Sequence, residues 1–114
     1  MSKITTHVLD TSRGCPAASI SIQLDCQAED GTWKRLGNGQ SDKDGRLKTL
    51  ISDDTEISAG IYRITFNTGA YFANLKLKCF YPEVVVFFEI GDPSQHYHVP
   101  LLLSPFGYST YRGS

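Results

Sequence analysis

The sequence predicts an all-β fold, a β-sandwich of seven or eight strands with one short helix. Apolar and polar residues alternate at period two through most of the chain. Turns rich in glycine, aspartate and proline punctuate that alternation at short intervals. One stretch alone shows the three-and-four spacing of a helix.

The elements follow in chain order. Thr5–Asp10 sets Thr5, His7 and Leu9 on one face and Thr6, Val8 and Asp10 on the other. Ala18–Gln27 places Ile20, Ile22, Leu24 and Cys26 opposite Ser19, Ser21, Gln23 and Asp25, the pattern of a half-buried strand. Glu29–Gly31 turns the chain into Thr32–Ser41, a second strand that Gly37 and Gly39 should break. Asp42-Lys43-Asp44-Gly45 is turn chemistry, with Gly45 free to adopt positive φ. After Gly60, Tyr62, Ile64 and Phe66 alternate with Arg63, Thr65 and Asn67. Gly69–Lys76 carries Tyr71, Phe72 and Leu75 at helical spacing and predicts the one helix. Glu83–Ile90 is a β-branched and aromatic strand, and Gly91–Ser94 turns it into Tyr97–Leu103. Pro105–Gly107 leads to a last strand, Tyr108–Arg112.

A chain of 114 residues is expected to form a single domain, residues 1–114, with a core of its own. Its 40% hydrophobic and 20% charged residues are ordinary globular values. A net charge of −1 offers no electrostatic footprint for nucleic acid or an anionic membrane. No apolar run approaches the roughly 20 residues of a membrane span. The segment Met1–Asp10 lacks the apolar stretch and cleavage site of a secretory leader, and the closing Arg-Gly-Ser is not a peroxisomal address, so a cytoplasmic location is expected. Cys15, Cys26 and Cys79 lack metal-type spacing and read as free thiols, Cys26 as a small buried hydrophobe.

Candidate chemistry concentrates on three histidines. If Val99, Leu101 and Leu103 face the core, His96, His98 and Pro100 point out of the sandwich. Pro100, lacking an N–H, also requires that strand to be an edge or irregular. Taken alone, an outward imidazole is a solvated surface group, and Arg46 a surface arginine after a turn. His96, His98 and His7 could imitate a three-histidine zinc site, yet no carboxylate or thiolate spacing supports one. No Gly-x-Ser-x-Gly elbow suggests a serine nucleophile.

In combination the segments resemble one family. Thr6–Asp10 with Gly14-Cys15-Pro16-Ala17, Asp44-Gly45-Arg46, and His96–Ser114 (HYHVPLLLSPFGYSTYRGS) are similar to the motifs of the transthyretin-related 5-hydroxyisourate hydrolases, from about Thr6 to Ser114. The same framework resembles the transthyretin carriers. In those, lysine, glutamate and threonine stand where this chain has His7, Arg46 and His98, and the Tyr-Arg-Gly-Ser ending is replaced. The resemblance thus implies a transthyretin-like sandwich and an enzyme, with a small-ligand carrier as the alternative. It implies His7, Arg46, His98 and Ser114 as catalytic residues, and His7, Arg46, Tyr111, Arg112 and Gly113 as substrate-binding residues. It implies no metal or organic cofactor, and a homotetramer, a dimer of dimers, whose outward sheet faces enclose the active sites. His96 is read as either supporting a site residue from behind or purely structural.

Overall fold

The computed structural model describes residues 3–114; Met1 and Ser2, the start of the segment read as lacking a leader, lie outside the described residues. Strands with one apolar face must bury it against another layer. Here they do so as two sheets. In chain order the elements are β1 (Ile4–Asp10), β2 (Cys15–Pro16), β3 (Ser21–Gln27), β4 (Trp33–Gln40), β5 (Arg46–Leu47), β6 (Gly60–Phe66), α1 (Thr68–Asn74), β7 (Val84–Ile90), β8 (Tyr97–Ser104) and β9 (Gly107–Thr110). One sheet runs β2-β1-β8-β9, with β5 also pairing β1; the other runs β4-β3-β6-β7. The expected strands are all present, and the two-residue pieces β2 and β5 add to them.

Between the sheets lie the residues that the alternation sets inward. Val8, Ile22, Leu24, Ile64, Phe66, Leu101 and Leu103 are each at most 1% exposed and belong to one cluster with Ile4, Tyr62, Val84 and Tyr97. Cys26 is partly buried and packs against that cluster. The helix starts where Asn67 accepts a hydrogen bond from the Ala70 N–H at 3.3 Å. It ends at Asn74, short of the expected Lys76: the Leu75 and Lys76 N–H groups turn back to Phe72 and Ala73, and Lys76 takes φ 59°.

Four details depart from expectation. β4 runs unbroken through Gly37 and Gly39, and the register instead shifts between Leu24 and Asp25, which pair Gly37 and Arg35 and leave Leu36 as the extra residue. Gly37 is there because a Cβ would strike the Leu50 carbonyl. Asp25, on the polar face of β3, is only 5% exposed, covered by Arg63 at 2.9 Å and Arg35 at 3.4 Å. β8 is an interior strand, parallel to β1 and antiparallel to β9. The irregularity that Pro100 demands falls instead on its neighbour: the β8–β9 ladder ends at Leu101–Thr110, and the Pro100 carbonyl takes the Thr110 hydroxyl at 2.6 Å. For the same reason β9 stops at Thr110 rather than Arg112.

Candidate active site

The parallel β1–β8 pair builds the centre of the site. Its register sets Thr5 beside His98 and His7 beside Pro100, so the odd-numbered residues of β1 share an outward face with His98. Thr6, Val8 and Asp10 are buried beneath them. Three contacts fix His98. Thr5 Oγ1 lies 2.8 Å from its Nδ1, the Gly113 N–H donates to its carbonyl at 2.9 Å, and the Gly113 main chain lies against its ring. A Cβ on Gly113 would come within 2.6 Å of the ring carbon Cδ2, so only glycine lets the chain approach this closely. With Nδ1 engaged, Nε2 is the nitrogen left to the cavity.

Arg46 arrives on β5, which pairs with β1 so that His7 and Arg46 are direct partners. The turn before it is tightly specified. Asp42 accepts from the Asp44 N–H at 2.9 Å and the Arg46 N–H at 3.0 Å, and Gly45 takes φ 78°. A Cβ on Gly45 would strike the Val8 carbonyl of β1. His7 Nε2 lies 2.9 Å from the Asp44 carbonyl oxygen. A carbonyl only accepts, so Nε2 carries the proton and the lone pair of neutral His7 sits on Nδ1. The Arg46 side chain is exposed and forms no ion pair among the described residues.

Above this face lies a cavity of about 700 Å³, lined by Thr5, Arg46, Lys48, His96, His98 and Ser114 among others. Four separated segments therefore meet in one hollow. His7 does not line it; it stands beside Arg46, close enough for its charge to act on His98. Tyr111 and Arg112 face a different hollow, of about 330 Å³, shared with Phe87, Tyr97 and Val99, although His98 borders both. The Arg112 guanidinium sits 4.6 Å over the Tyr97 ring and donates to Gln95 at 2.9 Å. Thr5 and Lys48 were not singled out in the sequence. Thr5 could have been, since it shares the alternation face of His7.

Burial lowers the His98 pKa below its ordinary 6.5, and the positive charge of Arg46 and the neighbouring His7 and His96 lowers it further. A neutral imidazole in this position can take a proton near neutral pH. Arg46 offers a forked, unneutralised cation to an oxygen-rich or anionic ligand. Among the described residues, no group of three or more His, Cys, Asp or Glu side chains is arranged to hold a metal ion. Proton transfer beside a fixed cation, on a small ligand, is the chemistry this arrangement can do.

Comparison with known proteins gives this geometry a family. The HIUase/Transthyretin family profile matches residues 4–113. The 5-hydroxyisourate hydrolase of Salmonella typhimurium is 46% identical over 111 residues, spanning 97% of this chain and 80% of that one. The structure of Klebsiella pneumoniae 5-hydroxyisourate hydrolase superposes with a TM-score of 0.84 at 35% identity, covering 99% of this chain and 100% of that one. Sea bream transthyretin in complex with thyroxine superposes with a TM-score of 0.91 at 32% identity, covering 98% and 95%. With a match over nearly its whole length, this chain belongs to the HIUase/Transthyretin family.

Proposed function

We propose that this protein is the enzyme that hydrolyses 5-hydroxyisourate to 2-oxo-4-hydroxy-4-carboxy-5-ureidoimidazoline in urate degradation. The observation that carries the reading is the meeting of His98, Arg46 and Ser114 around one cavity in a chain so similar to the hydrolases. Backbone likeness to a thyroxine-bound transthyretin does not weigh against it, because fold alone does not specify chemistry. The side chains discriminate: an imidazole and an unpaired guanidinium suit proton transfer to and from an oxygen-rich ring better than passive carriage.

In the proposed reaction water attacks the six-membered-ring carbonyl and the ring C–N bond opens. That requires a base for the water, a stabiliser for the developing oxyanion and a proton for the leaving nitrogen. His98 and His7 serve proton transfer and water positioning. Arg46 holds the substrate oxygens through its fork and offsets charge in the transition state. Ser114 completes the catalytic group at the cavity wall. Gly113 holds the main chain against His98, and Tyr111 and Arg112 belong to the substrate-binding segment that closes the site. The whole chain, residues 1–114, acts as one domain without a metal or organic cofactor. It works in the cytoplasm as a homotetramer, a dimer of dimers. No helix among the described residues is long and apolar enough to cross a membrane.

The test is direct: urate oxidase generates the substrate, and the decay of its ultraviolet absorbance is timed with and without the protein. Acceleration is expected, and decay at the spontaneous rate would leave the carrier reading in its place. His7→Ala, Arg46→Ala and His98→Ala should each lose about 10²–10⁴ in rate while circular dichroism stays native. Parental rates in all three would remove the site assignment.

A further inference from the structure

The reaction scheme above uses one end of a chain of polar groups that extends beyond His98. Thr5 Oγ1 lies 2.8 Å from His98 Nδ1 and also 3.1 Å from His96 Nε2. The two imidazoles stack on either side of that hydroxyl, with ring centroids 6.4 Å apart and planes 13° from parallel. A threonine hydroxyl has one proton to give and lone pairs with which to accept. It can therefore donate to at most one of the two rings and accepts from at least one.

Two arrangements satisfy both contacts with the hydroxyl proton directed to a ring nitrogen; if both rings donate instead, His98 again donates from Nδ1 and Nε2 is bare. In the first, His96 donates to Thr5 and Thr5 donates to His98 Nδ1. Neutral His98 then carries its proton on Nε2 and has no lone pair for the cavity. In the second, His98 Nδ1–H donates to Thr5, whose own proton goes to His96 Nε2. The His98 Nε2 lone pair then faces the cavity. These differ in whether Nε2 can take a proton from water at all, because the first leaves it no lone pair. The imidazolium that forms must also donate from Nδ1. In the second it finds a lone pair already aligned, on an oxygen made a better acceptor by its donation to His96.

We propose that Thr5 is a positioning residue: its hydroxyl, donated to His96 Nε2, accepts the Nδ1 proton of His98 and so presents the Nε2 lone pair to the cavity. His96 thereby gains a part, as the acceptor that ends the chain. Nothing crosses the chain during turnover. The proton that Nε2 takes from water leaves again from Nε2 to the departing ring nitrogen, while the Nδ1–H stays on Thr5. Position along the strands explains why Thr5 can do this: it is the register partner of His98 across the parallel pair, and both side chains leave the same face.

The inference rests on His98 being a proton-transfer group of the proposed hydrolase. Two measurements separate them. Thr5→Val removes the hydroxyl at nearly constant shape, while Thr5→Ser keeps it. With the absorbance assay, Thr5→Val should lower kcat on the order of 10–100-fold, by analogy with the loss of a partner that orients a metal-bound histidine, with KM little changed. Thr5→Ser should restore most of that loss. Independently of substrate, ¹⁵N chemical shifts of the His98 ring in the parent protein above its pKa should show a protonated Nδ1 and a bare Nε2. Equal kcat in the parent and Thr5→Val, failure of Thr5→Ser to recover, or a proton on Nε2 in the neutral parent would overturn the proposal. A parent that turned over no substrate would instead remove the hydrolase reading, and the ¹⁵N shifts would still decide how Thr5 is bonded.

Discussion

At the scale of single residues, the environment of His98 decides its charge. Burial disfavours the imidazolium, and Arg46, His7 and His96 add positive potential on top of it. Its folded pKa therefore lies below 6.5, the value it would have in an unfolded chain. Between those two values the unfolded state binds more protons, so this residue's contribution to stability rises with pH across that window. Below the window, where both states are charged, that advantage is gone and the buried charge costs the fold. The same shift keeps a base available at pH values where a solvent-exposed imidazole would begin to charge. An NMR titration of the His98 ring should thus give a midpoint below 6.5, and Arg46→Gln should move it upward by removing one of the charges. A parental midpoint at or above 6.5 would contradict the account of burial and like charge.

At the scale of elements, period-two alternation was enough to read the faces of the strands, because a pleated strand leaves little choice of which side chains go inward. It could not read pairing. β8 lies between β1 and β9, and its parallel partner β1 stands at the opposite end of the chain, a contact no local pattern announces. The missing N–H of Pro100 pointed correctly to an irregular ladder, but the irregularity went to the short β9 rather than to β8. The buried Asp25 escaped notice because its arginine partners come from two other strands. His7 and Arg46 were legible only as motif matches, and His98 by its outward face as well; the shared edge of β1 and β5 explains why the first two are neighbours. The face of Thr5 was legible from the alternation, but its part was not, since that comes from the 2.8 Å contact and not from its type. The interrupted β9 also makes Gly113 a sensitive position. Gly113→Ala would set a methyl about 2.6 Å from the His98 ring, and either the ring or the terminal segment must move. A displacement of about 1 Å in a reacting group costs on the order of 10² in rate, while the core is untouched. Turnover should fall by about that factor with an unchanged thermal midpoint; a parental rate would show that the ring tolerates the shift.

At the scale of the whole molecule, the site faces outward and a single sandwich leaves it wet. The cavity is lined mainly by exposed groups, Arg46, Lys48, His96 and Ser114 among them, over a sheet face that also carries half-buried Leu9 and Leu102. Water in that hollow would screen the Arg46 charge and weaken its hold on a developing oxyanion, since the same charge acts far more strongly where solvent is excluded. A second dimer laid across the face would exclude water and supply the missing wall. Closed point-group symmetry favours such a pairing of like faces. The expected state is therefore a homotetramer, its dimer–dimer contact part of the active site. Light scattering coupled to size exclusion should give the mass of four chains. Specific activity should fall on dilution below the assembly's dissociation range, with the strand signature in circular dichroism retained. Deleting Tyr111–Ser114 should abolish turnover without unfolding the sandwich. Those residues lie beyond β9 and outside the buried core, yet they include Ser114 at the cavity wall and the Gly113 contact on His98. A fully active monomer at assay concentration would show that one sandwich suffices, and that the charge of Arg46 works in open water.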